Sequence, residues 1–440
     1  MIVRLLLCVM SLAWWGLAAK ATPERRHIIF IQADDLGWRD LACYGGKHLH
    51  TPAIDSLARG GLRFTQAYGG GPVCTPSRAA MLTGLHAARL HITGQASYRL
   101  QDESGRRFLD PDFKTAIPQG TPCVARTLAS IGYRTVLLGK WGFDDDPLQH
   151  GFSDVVTGGD QLLTERAIEA ILNSSEIPLF LYLNFSRPHI PLKPDPKLLA
   201  KYEGAPGFEA GSQNPKYAAI IEGLDRDVGL ILAAIEQKRI EQRTIVIFAS
   251  DNGGYLGTEA DPVTSNAPLR EGKASLYEGG LRVPVVVRVP GLTAAGITDD
   301  SPIHSVDWHA TLADLAGASV PGGLDGVSFA GNIRGEYARK ARTLYWHFPH
   351  YRRSRPGIGA SPSSAMREGD WKLIHFYEDN HVELFNLRED PGETRNLALQ
   401  FPSRSRDLLF RLNAWRVSVA AQPPVPNVNY GRPASDRQTR

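Results

Sequence analysis

Five short segments of this 440-residue sequence are nearly continuous in apolar and β-branched residues. They span residues 27–33, 134–139, 178–185, 243–250 and 283–289. A strand with one solvated face alternates apolar and polar residues, whereas a strand covered on both faces does not. The five segments therefore predict strands of a sheet that is buried between two layers of helices.

Helical patterns separate these strands at residues 53–60, 122–131, 164–172, 217–237 and 306–315. An alternation of strand and helix predicts an α/β fold with a large, doubly wound, mainly parallel sheet, which we assign to residues 22–340. After about residue 340 short alternating runs are joined by turns and followed by a helical pattern at 403–417. They predict a smaller C-terminal antiparallel-sheet subdomain over residues 341–422. The tail, residues 423–440, is rich in Pro, Asn and Arg and is predicted to be poorly ordered.

Residues 1–21 have the pattern of a signal peptide: a charged start, an apolar run and the small-residue site Ala19-Lys20-Ala21. The apolar run is about 15 residues long, and a membrane span needs ~20. We therefore expect a secreted or periplasmic protein that is free of the membrane after signal cleavage; an uncleaved anchor is the alternative. Removing the signal leaves Cys43, Cys74 and Cys123, an odd number, so one cysteine lies outside any disulfide.

The formal net charge of +3 is small, and the basic residues are scattered along the chain. Neither a nucleic acid nor a membrane surface is favoured as a partner by this pattern, whereas a small acidic substrate is compatible with it.

Polar residues follow the ends of four predicted strands. In a parallel sheet ligands bind beyond the carboxyl ends of the strands, so these residues predict the rim of an active site. They are Asp34 and Asp35, Lys140, Asn184 with His189 shortly after it, and Asp251 with Asn252.

Four of these residues, Asp34, Asp35, Asp251 and Asn252, offer only oxygen donors. Oxygen ligands indicate a hard cation rather than zinc. We predict Ca²⁺, which accepts several oxygen ligands without octahedral geometry, and Mg²⁺ is the alternative. For the Asp34-Asp35 pair taken alone, a helix cap or a solvated turn is an equally good interpretation.

Residues 72–84 contain Cys74 just before a helix predicted to start at Pro76 or Ser77, and a helix N-terminus favours negative charge at a cysteine. This segment resembles the sulfatase signature C-x-P-S-R-x-x-x-L-T-G, in which the cysteine is oxidised to formylglycine. A buried structural cysteine is the alternative. Further segments resemble sulfatase motifs in the family's order: Asp34-Asp35, residues 132–141, Pro188-His189-Ile190-Pro191, residues 250–254, 270–273, 277–284 and 390–397.

The resemblance implies an alkaline-phosphatase-like fold and a sulfuric ester hydrolase that binds Ca²⁺ through Asp34, Asp35, Asp251, Asn252 and the modified Cys74. A formylglycine-generating enzyme would be its partner during maturation. The hydrated aldehyde would attack sulfur and expel the alcohol, and its second hydroxyl would then release sulfate. Charge on the sulfuryl oxygens would be neutralised by Arg78, Lys140 and Lys273, and the leaving oxygen protonated by His189 or Lys273.

The expected substrate is a sulfated carbohydrate, with other sulfate esters such as aryl sulfates second. His347 and His350 lie in an aromatic and basic segment near the domain junction. They are predicted to contact a sugar there, with a solvated basic loop as the alternative.

One position departs from the family pattern. The second signature usually continues G-K-W-H-L-G, whereas here Lys140-Trp141 is followed by Gly142 and Phe143. The histidine thought to assist sulfate release is missing; His150 is a candidate substitute, although a plain surface histidine is the better expectation. Two other functions stay open, a phosphonate or phosphate diester hydrolase on the same fold and a non-catalytic binder of sulfated glycans.

Overall fold

The computed structural model describes residues 25–95, 105–208, 214–258, 260–336, 342–355 and 358–431. The predicted signal peptide, residues 1–21, lies outside these ranges. None of the helices within them has both the length and the apolar character needed to cross a bilayer.

The described residues form seventeen strands and eleven α-helices. The strands are β1 (His27–Asp34), β2 (Leu62–Tyr68), β3 (Phe108–Leu109), β4 (Arg134–Gly139), β5 (Asp154–Val156), β6 (Leu179–Pro188), β7 (Thr244–Ser250), β8 (Arg282–Arg288), β9 (Ile297–Asp299), β10 (Ile303–His304), β11 (Thr343–Phe348), β12 (Arg352–Arg355), β13 (Ile358–Ala360), β14 (Ser363–Glu368), β15 (Trp371–Phe376), β16 (Val382–Asn386) and β17 (Val425–Pro426). The helices are α1 (Pro52–Arg59), α2 (Cys74–Thr83), α3 (Ala87–Leu90), α4 (Val124–Ala129), α5 (Asp160–Leu172), α6 (Pro196–Tyr202), α7 (Pro215–Lys238), α8 (Glu278–Leu281), α9 (Asp307–Leu315), α10 (Ala330–Ile333) and α11 (Pro402–Ser418).

The large sheet has the strand order β10-β2-β8-β7-β1-β6-β4-β5, with β9 paired to β2. Strands β7, β1, β6, β4 and β5 are parallel to one another, and Ile29 of β1 lies in register between Leu181 of β6 and Val246 of β7. Strand β8 is antiparallel to both of its neighbours. The prediction of a doubly wound, mainly parallel sheet is confirmed.

Both faces of the large sheet are covered. Successive residues of β1 point to opposite faces, so Ile28 and Phe30 belong to one apolar cluster and Ile29 and Ile31 to another. The first cluster contains side chains of α2, α4 and α9, and the second contains side chains of α1, α5 and α7. This arrangement explains why the strand segments are continuously apolar.

The smaller sheet is antiparallel, with the order β11-β14-β15-β16. Helix α11 packs on it through Leu408, Leu412 and Trp415, as the sequence predicts for a closing helix. Within the tail that we predicted to be poorly ordered, β17 pairs with β3 of the α/β body. Residues 432–440 of that tail lie outside the described ranges.

Candidate active site

The polar residues of the predicted rim meet at one edge of the large sheet. Asp34 is the last residue of β1, Lys140 follows β4, His189 follows β6, and Asp251 follows β7. These four strands are parallel neighbours, so their carboxyl ends reach the same edge. Asp35 has a left-handed backbone (φ 69°) and turns the chain out of β1 at this point.

Cys74 is the first residue of α2, which begins there and not at Pro76 or Ser77 as predicted. Its side chain is fully buried, and Sγ lies 2.9 Å from Asp34 Oδ1 and 3.6 Å from Lys273 Nζ. Burial and the charge of Asp34 raise the pKa of the Cys74 thiol well above its usual value, against the opposing charge of Lys273. Desolvation therefore disfavours a thiolate at this helix N-terminus, where we expected negative charge to be favoured.

Arg78 lies one helical turn after Cys74 on the same face of α2. Its guanidinium is fully buried and donates to Asn184 Oδ1 at 2.8 Å and to Asp251 Oδ2 at 3.0 Å. The burial of Asp251 and the charge of Asp34 raise the pKa of Asp251 to about 6, although Arg78 opposes this shift. Sequence reasoning placed Asn184 on the rim but missed its contact with Arg78; the signal was a polar residue within an apolar strand.

Two lysines approach the carboxylates of β1. Lys140 Nζ lies 2.7 Å from Asp34 Oδ2, and Lys273 Nζ lies 2.7 Å from Asp35 Oδ2. Burial alone would raise the pKa of Asp34, but the charges of Lys140, Arg78 and Lys273 hold it far below its usual value. The positive charges of these two lysines and Arg78 therefore balance the negative charges of Asp34, Asp35 and Asp251.

His189 lies at the wall of a cavity of 630 Å³ that Asp34 and Lys140 also line. The His189 ring is a quarter exposed, and its Nε2 lies 3.5 Å from Asp35 Oδ2. Its Nδ1 lies 2.5 Å from the carbonyl oxygen of Ile190. A carbonyl oxygen only accepts hydrogen bonds, so Nδ1 carries the hydrogen and Nε2 is the nitrogen available for chemistry.

The residues at this edge could hold a metal ion. Single ligand atoms of Asp34, Asp35, Cys74 and His189 lie within 4.8 Å of one another. Asn252 Nδ2 donates to Asp35 Oδ1 at 2.8 Å, while Asn252 Oδ1 is buried without a hydrogen-bond partner among the described residues. A buried oxygen with no donor beside three carboxylates is what an oxygen-ligated cation requires. His189, which we predicted only as an acid, also belongs to this group.

Two glycines bring the chain segments of the site close together. A Cβ atom on Gly253 would lie 1.8 Å from the carbonyl oxygen of Gly279, and one on Gly139 would lie 2.0 Å from that of Asn184. Gly139 also has a left-handed backbone (φ 98°), which favours glycine. The residues after β4 and β7 therefore depend on these glycines for their position.

The predicted sugar contacts of His347 and His350 are corrected by the structure. His347 bonds to Ser364 Oγ and the carbonyl oxygen of Gln422, and His350 bonds to Asp110 and Thr93. Both side chains are buried, and burial lowers the pKa of His347 to about 3 and also lowers that of His350. Because both nitrogens of each ring are occupied, these histidines are structural.

His150 is also not the surface histidine that we expected. It is buried, its Nε2 lies 2.6 Å from Asp145 Oδ2, and its ring centroid lies 5.6 Å from that of Trp141. Trp141 donates to the other oxygen of Asp145 at 3.0 Å. His150 and Asp145 thus support the segment after Lys140, and His150 makes no hydrogen bond to the described residues around Cys74.

Comparisons with known proteins agree with these motifs. The family model "Sulfatase" matches residues 26–318, and the model "N-sulphoglucosamine sulphohydrolase, C-terminal" matches residues 272–412. A protein named "Sulfatase" from Formosa agariphila is 30% identical, with 90% of each chain covered. Arylsulfatase A of Bos taurus is 30% identical over 87% of this chain and 84% of its own. The crystal structure of Ps i-CgsB in complex with k-i-k-neocarrahexaose has a TM-score of 0.75 and 26% identity, covering 94% of this chain and 96% of that one.

Proposed function

Because this chain belongs to the sulfatase family and is a sulfuric ester hydrolase, we propose that it removes sulfate from sulfated carbohydrates with an aldehyde made from Cys74. The observation that carries the proposal is the position of residue 74. It lies at the N-terminus of α2, with Asp34 at 2.9 Å and Lys273 at 3.6 Å from its sulfur. In this proposal the chain is secreted or periplasmic, and a formylglycine-generating enzyme modifies it.

The complete signature around Cys74 supports the aldehyde. A hydrated aldehyde supplies two hydroxyls on one carbon, one to attack sulfur and the other to release sulfate. A serine in the same place would be left as a stable sulfate ester after the first step, so turnover depends on the second hydroxyl. Cys74 is fully buried, and this is compatible with modification before the chain folds.

Asp34, Asp35, Asn252 and Asp251, together with the modified residue 74, would hold a Ca²⁺ ion, with Mg²⁺ as the alternative. The unpartnered Oδ1 of Asn252 supports this assignment. A bound dication would lower the pKa of a coordinated hydroxyl and add positive charge next to the sulfuryl oxygens. The lysines and Arg78 already balance the three carboxylates, so with the ion the centre has an excess of positive charge, and it attracts a sulfate monoester.

The cationic side chains have distinct tasks in this proposal. Arg78 and Lys140 neutralise charge that develops on the sulfuryl oxygens, where a dry site makes each cation most effective. His189 lines the cavity where the departing alcohol would lie, and as the doubly protonated imidazolium it donates its Nε2 proton to the leaving oxygen. Lys273 is the second candidate for this proton, since its Nζ lies between residue 74 and Asp35.

The lining of the cavity supports a carbohydrate substrate. Most of the residues that line it have charged or polar side chains. Gln161, Lys193 and Asp195 are examples of side chains that can bond to sugar hydroxyls. The name of the second matching family model and the oligosaccharide in the related structure point the same way.

A substrate panel tests this proposal. We would compare kcat/KM for sulfated mono- and oligosaccharides, an aryl sulfate, a phosphate monoester and a phosphate diester. Mass spectrometry of the peptide that carries residue 74 would show whether the cysteine has become an aldehyde. We expect the sulfated sugars to be the best substrates and an aldehyde at position 74. Preference for the phosphate diester would indicate the rival hydrolase. Binding without turnover of any ester would indicate a glycan-binding protein.

A further inference from the structure

We infer that Asp160 and Asp227, acting through Arg187, are positioning residues for His189. The inference rests on the proposed role of His189 as the acid for the leaving group. None of these three residues touches residue 74; they hold the chain segment from which His189 projects.

Asp160 holds the end of β6. It is the first residue of α5 and is buried, and its carboxylate accepts hydrogen bonds from the backbone N–H groups of Ser186 at 2.8 Å and Arg187 at 3.2 Å. It also accepts from Ser186 Oγ at 2.9 Å and Arg187 Nε at 2.6 Å. One carboxylate thus binds the two residues that directly precede Pro188 and His189.

Asp227 holds the other side of the Arg187 guanidinium. It lies on α7 and is paired with Nη2 of Arg187. One turn earlier on α7, a Cβ atom on Gly223 would come within 3.0 Å of Arg187 Nη1, so this glycine leaves room for the guanidinium. The guanidinium is therefore fixed from α5 and from α7, and its charge is compensated by two carboxylates.

The fixed segment continues directly into His189. The backbone N–H of His189 donates to the carbonyl oxygen of Ser186 at 2.9 Å, which links the histidine to a residue that Asp160 holds. The 3.5 Å separation between His189 Nε2 and Asp35 therefore depends on where α5 and α7 hold the end of β6. A displacement of ~1 Å in a catalytic group lowers a rate by about 100-fold.

The substitutions Asp160→Asn and Asp227→Asn test the inference with two substrates. A sugar sulfate needs a proton on its leaving alcohol, whereas 4-nitrophenyl sulfate has a stable leaving group that needs none. We expect kcat/KM for the sugar sulfate, which reports the alcohol-releasing step, to fall by about 10–100-fold, and kcat/KM for the aryl sulfate to fall far less. Glu169→Gln is the matched control, because Glu169 lies on α5 like Asp160 but is exposed and pairs with Arg166.

A double-mutant cycle separates positioning from a general loss of structure. In a chain that already has His189→Ala, the added Asp160→Asn should cause no further loss on the sugar sulfate. Additive losses in the cycle, or equal losses on both substrates in Asp160→Asn when His189→Ala affects them unequally, would overturn the inference. If Asp160→Asn does not fold, the milder Gly223→Ala, which crowds Arg187, replaces it.

A spectroscopic readout keeps this test independent of the proposed function. The Cε1–H NMR signal of His189, assigned with His189→Ala, should shift in Asp160→Asn and Asp227→Asn and stay in place in Glu169→Gln. An unmoved signal would disprove the positioning role whatever the kinetics show. If the signal moves but His189→Ala slows both substrates equally, the acid role of His189 fails and the positioning role stands.

Discussion

Glu393 accepts a hydrogen bond of 2.7 Å from the backbone N–H of Glu278, and the two carboxylates share the ammonium group of Lys372 at 2.8 and 2.9 Å. All three side chains are fully buried. Glu278 is the first residue of α8, whereas Lys372 lies on β15 of the smaller sheet and Glu393 follows β16. Arg270 donates to the carbonyl oxygen of Glu393 at 3.1 Å, so the same cluster supports the loop that carries Lys273.

This cluster predicts a pH dependence of stability. Burial and the charge of Glu278 raise the pKa of Glu393 from 4.5 to about 7, although Lys372 opposes the shift. A group whose pKa is raised on folding contributes its full stability below the unfolded pKa and loses it as pH rises through the folded one. Stability from Glu393 should therefore decrease between pH 4.5 and pH 7.

Urea unfolding of Glu393→Gln at pH 5 and pH 8 checks this expectation. Glutamine resembles the protonated acid, so the variant should match the parent at pH 5 and exceed it at pH 8, by on the order of 1–3 kcal/mol. Glu278 keeps its negative charge over this range, because Lys372 and Arg282 lower its pKa to about 2 in spite of its burial. Glu389→Gln, at an exposed position, is the control variant. The prediction is contradicted if the stability of the parent and that of Glu393→Gln change in parallel between pH 5 and pH 8.

Substitutions on α2 should separate chemistry from folding. Cys74→Ala should abolish activity with little loss of stability, because the fully buried thiol makes no ion pair that folding requires. Arg78→Ala should abolish activity and also destabilise the fold by about 3–5 kcal/mol, since Asp251 and Asp34 stay buried but lose the guanidinium that pairs with them. Thermal unfolding and initial rates of both variants measure this contrast. A stable Arg78→Ala would contradict the assigned charge balance.

Removal of metal should abolish activity, and Ca²⁺ should restore it. Ca²⁺ should also raise Tm, because an ion that binds only the folded state stabilises it in proportion to its affinity. Asn252→Ala should weaken this thermal shift, since Asn252 supplies the unpartnered oxygen. Asn184→Ala is the matched control, because Asn184 bonds to Arg78 and lies outside the proposed ligand set. Full activity after chelation would rule out the metal assignment.

The sequence predicted the centre of the fold better than its edges. Strands β1, β4, β6 and β7 are covered on both faces, so their runs are continuously apolar and their ends identify the rim. Strand β2 was missed because its residues 62–68 mix polar with apolar side chains, and the direction of β8 has no local signal. Arg187 with its two carboxylates could not be found either, because Asp160 and Asp227 meet only through the packing of α5 and α7.

His347 and His350 show a second limit of sequence reasoning. A histidine beside arginines has the same local pattern whether it faces a cavity or is hydrogen-bonded inside the protein. Only the tertiary contacts with Ser364, Asp110 and Thr93 show that both rings form hydrogen bonds within the protein.

The missing histidine after Trp141 predicts which step limits turnover. Gly142 occupies this position with a left-handed backbone (φ 89°), and a Cβ atom there would lie 3.3 Å from Arg78 Cδ. A histidine would therefore strain the backbone and crowd the arginine that holds Asp251. In the proposed mechanism alcohol release would use His189 or Lys273, both of which are present, whereas sulfate release would lack the base that the family resemblance implies. Loss of a general base slows the step that it serves by about 10²–10⁴-fold.

Rapid-mixing kinetics with 4-nitrophenyl sulfate should show a burst of about one equivalent of nitrophenol per active site, followed by a slower steady rate. His150→Ala should leave the size of the burst unchanged, because His150 is bonded to Asp145 and supports Trp141. A burst that appears only in His150→Ala would instead make His150 the substitute base in the parent enzyme. No burst in either protein, with a normal turnover rate, would mean that water performs this step, because Lys140 is paired as a cation with Asp34 at 2.7 Å.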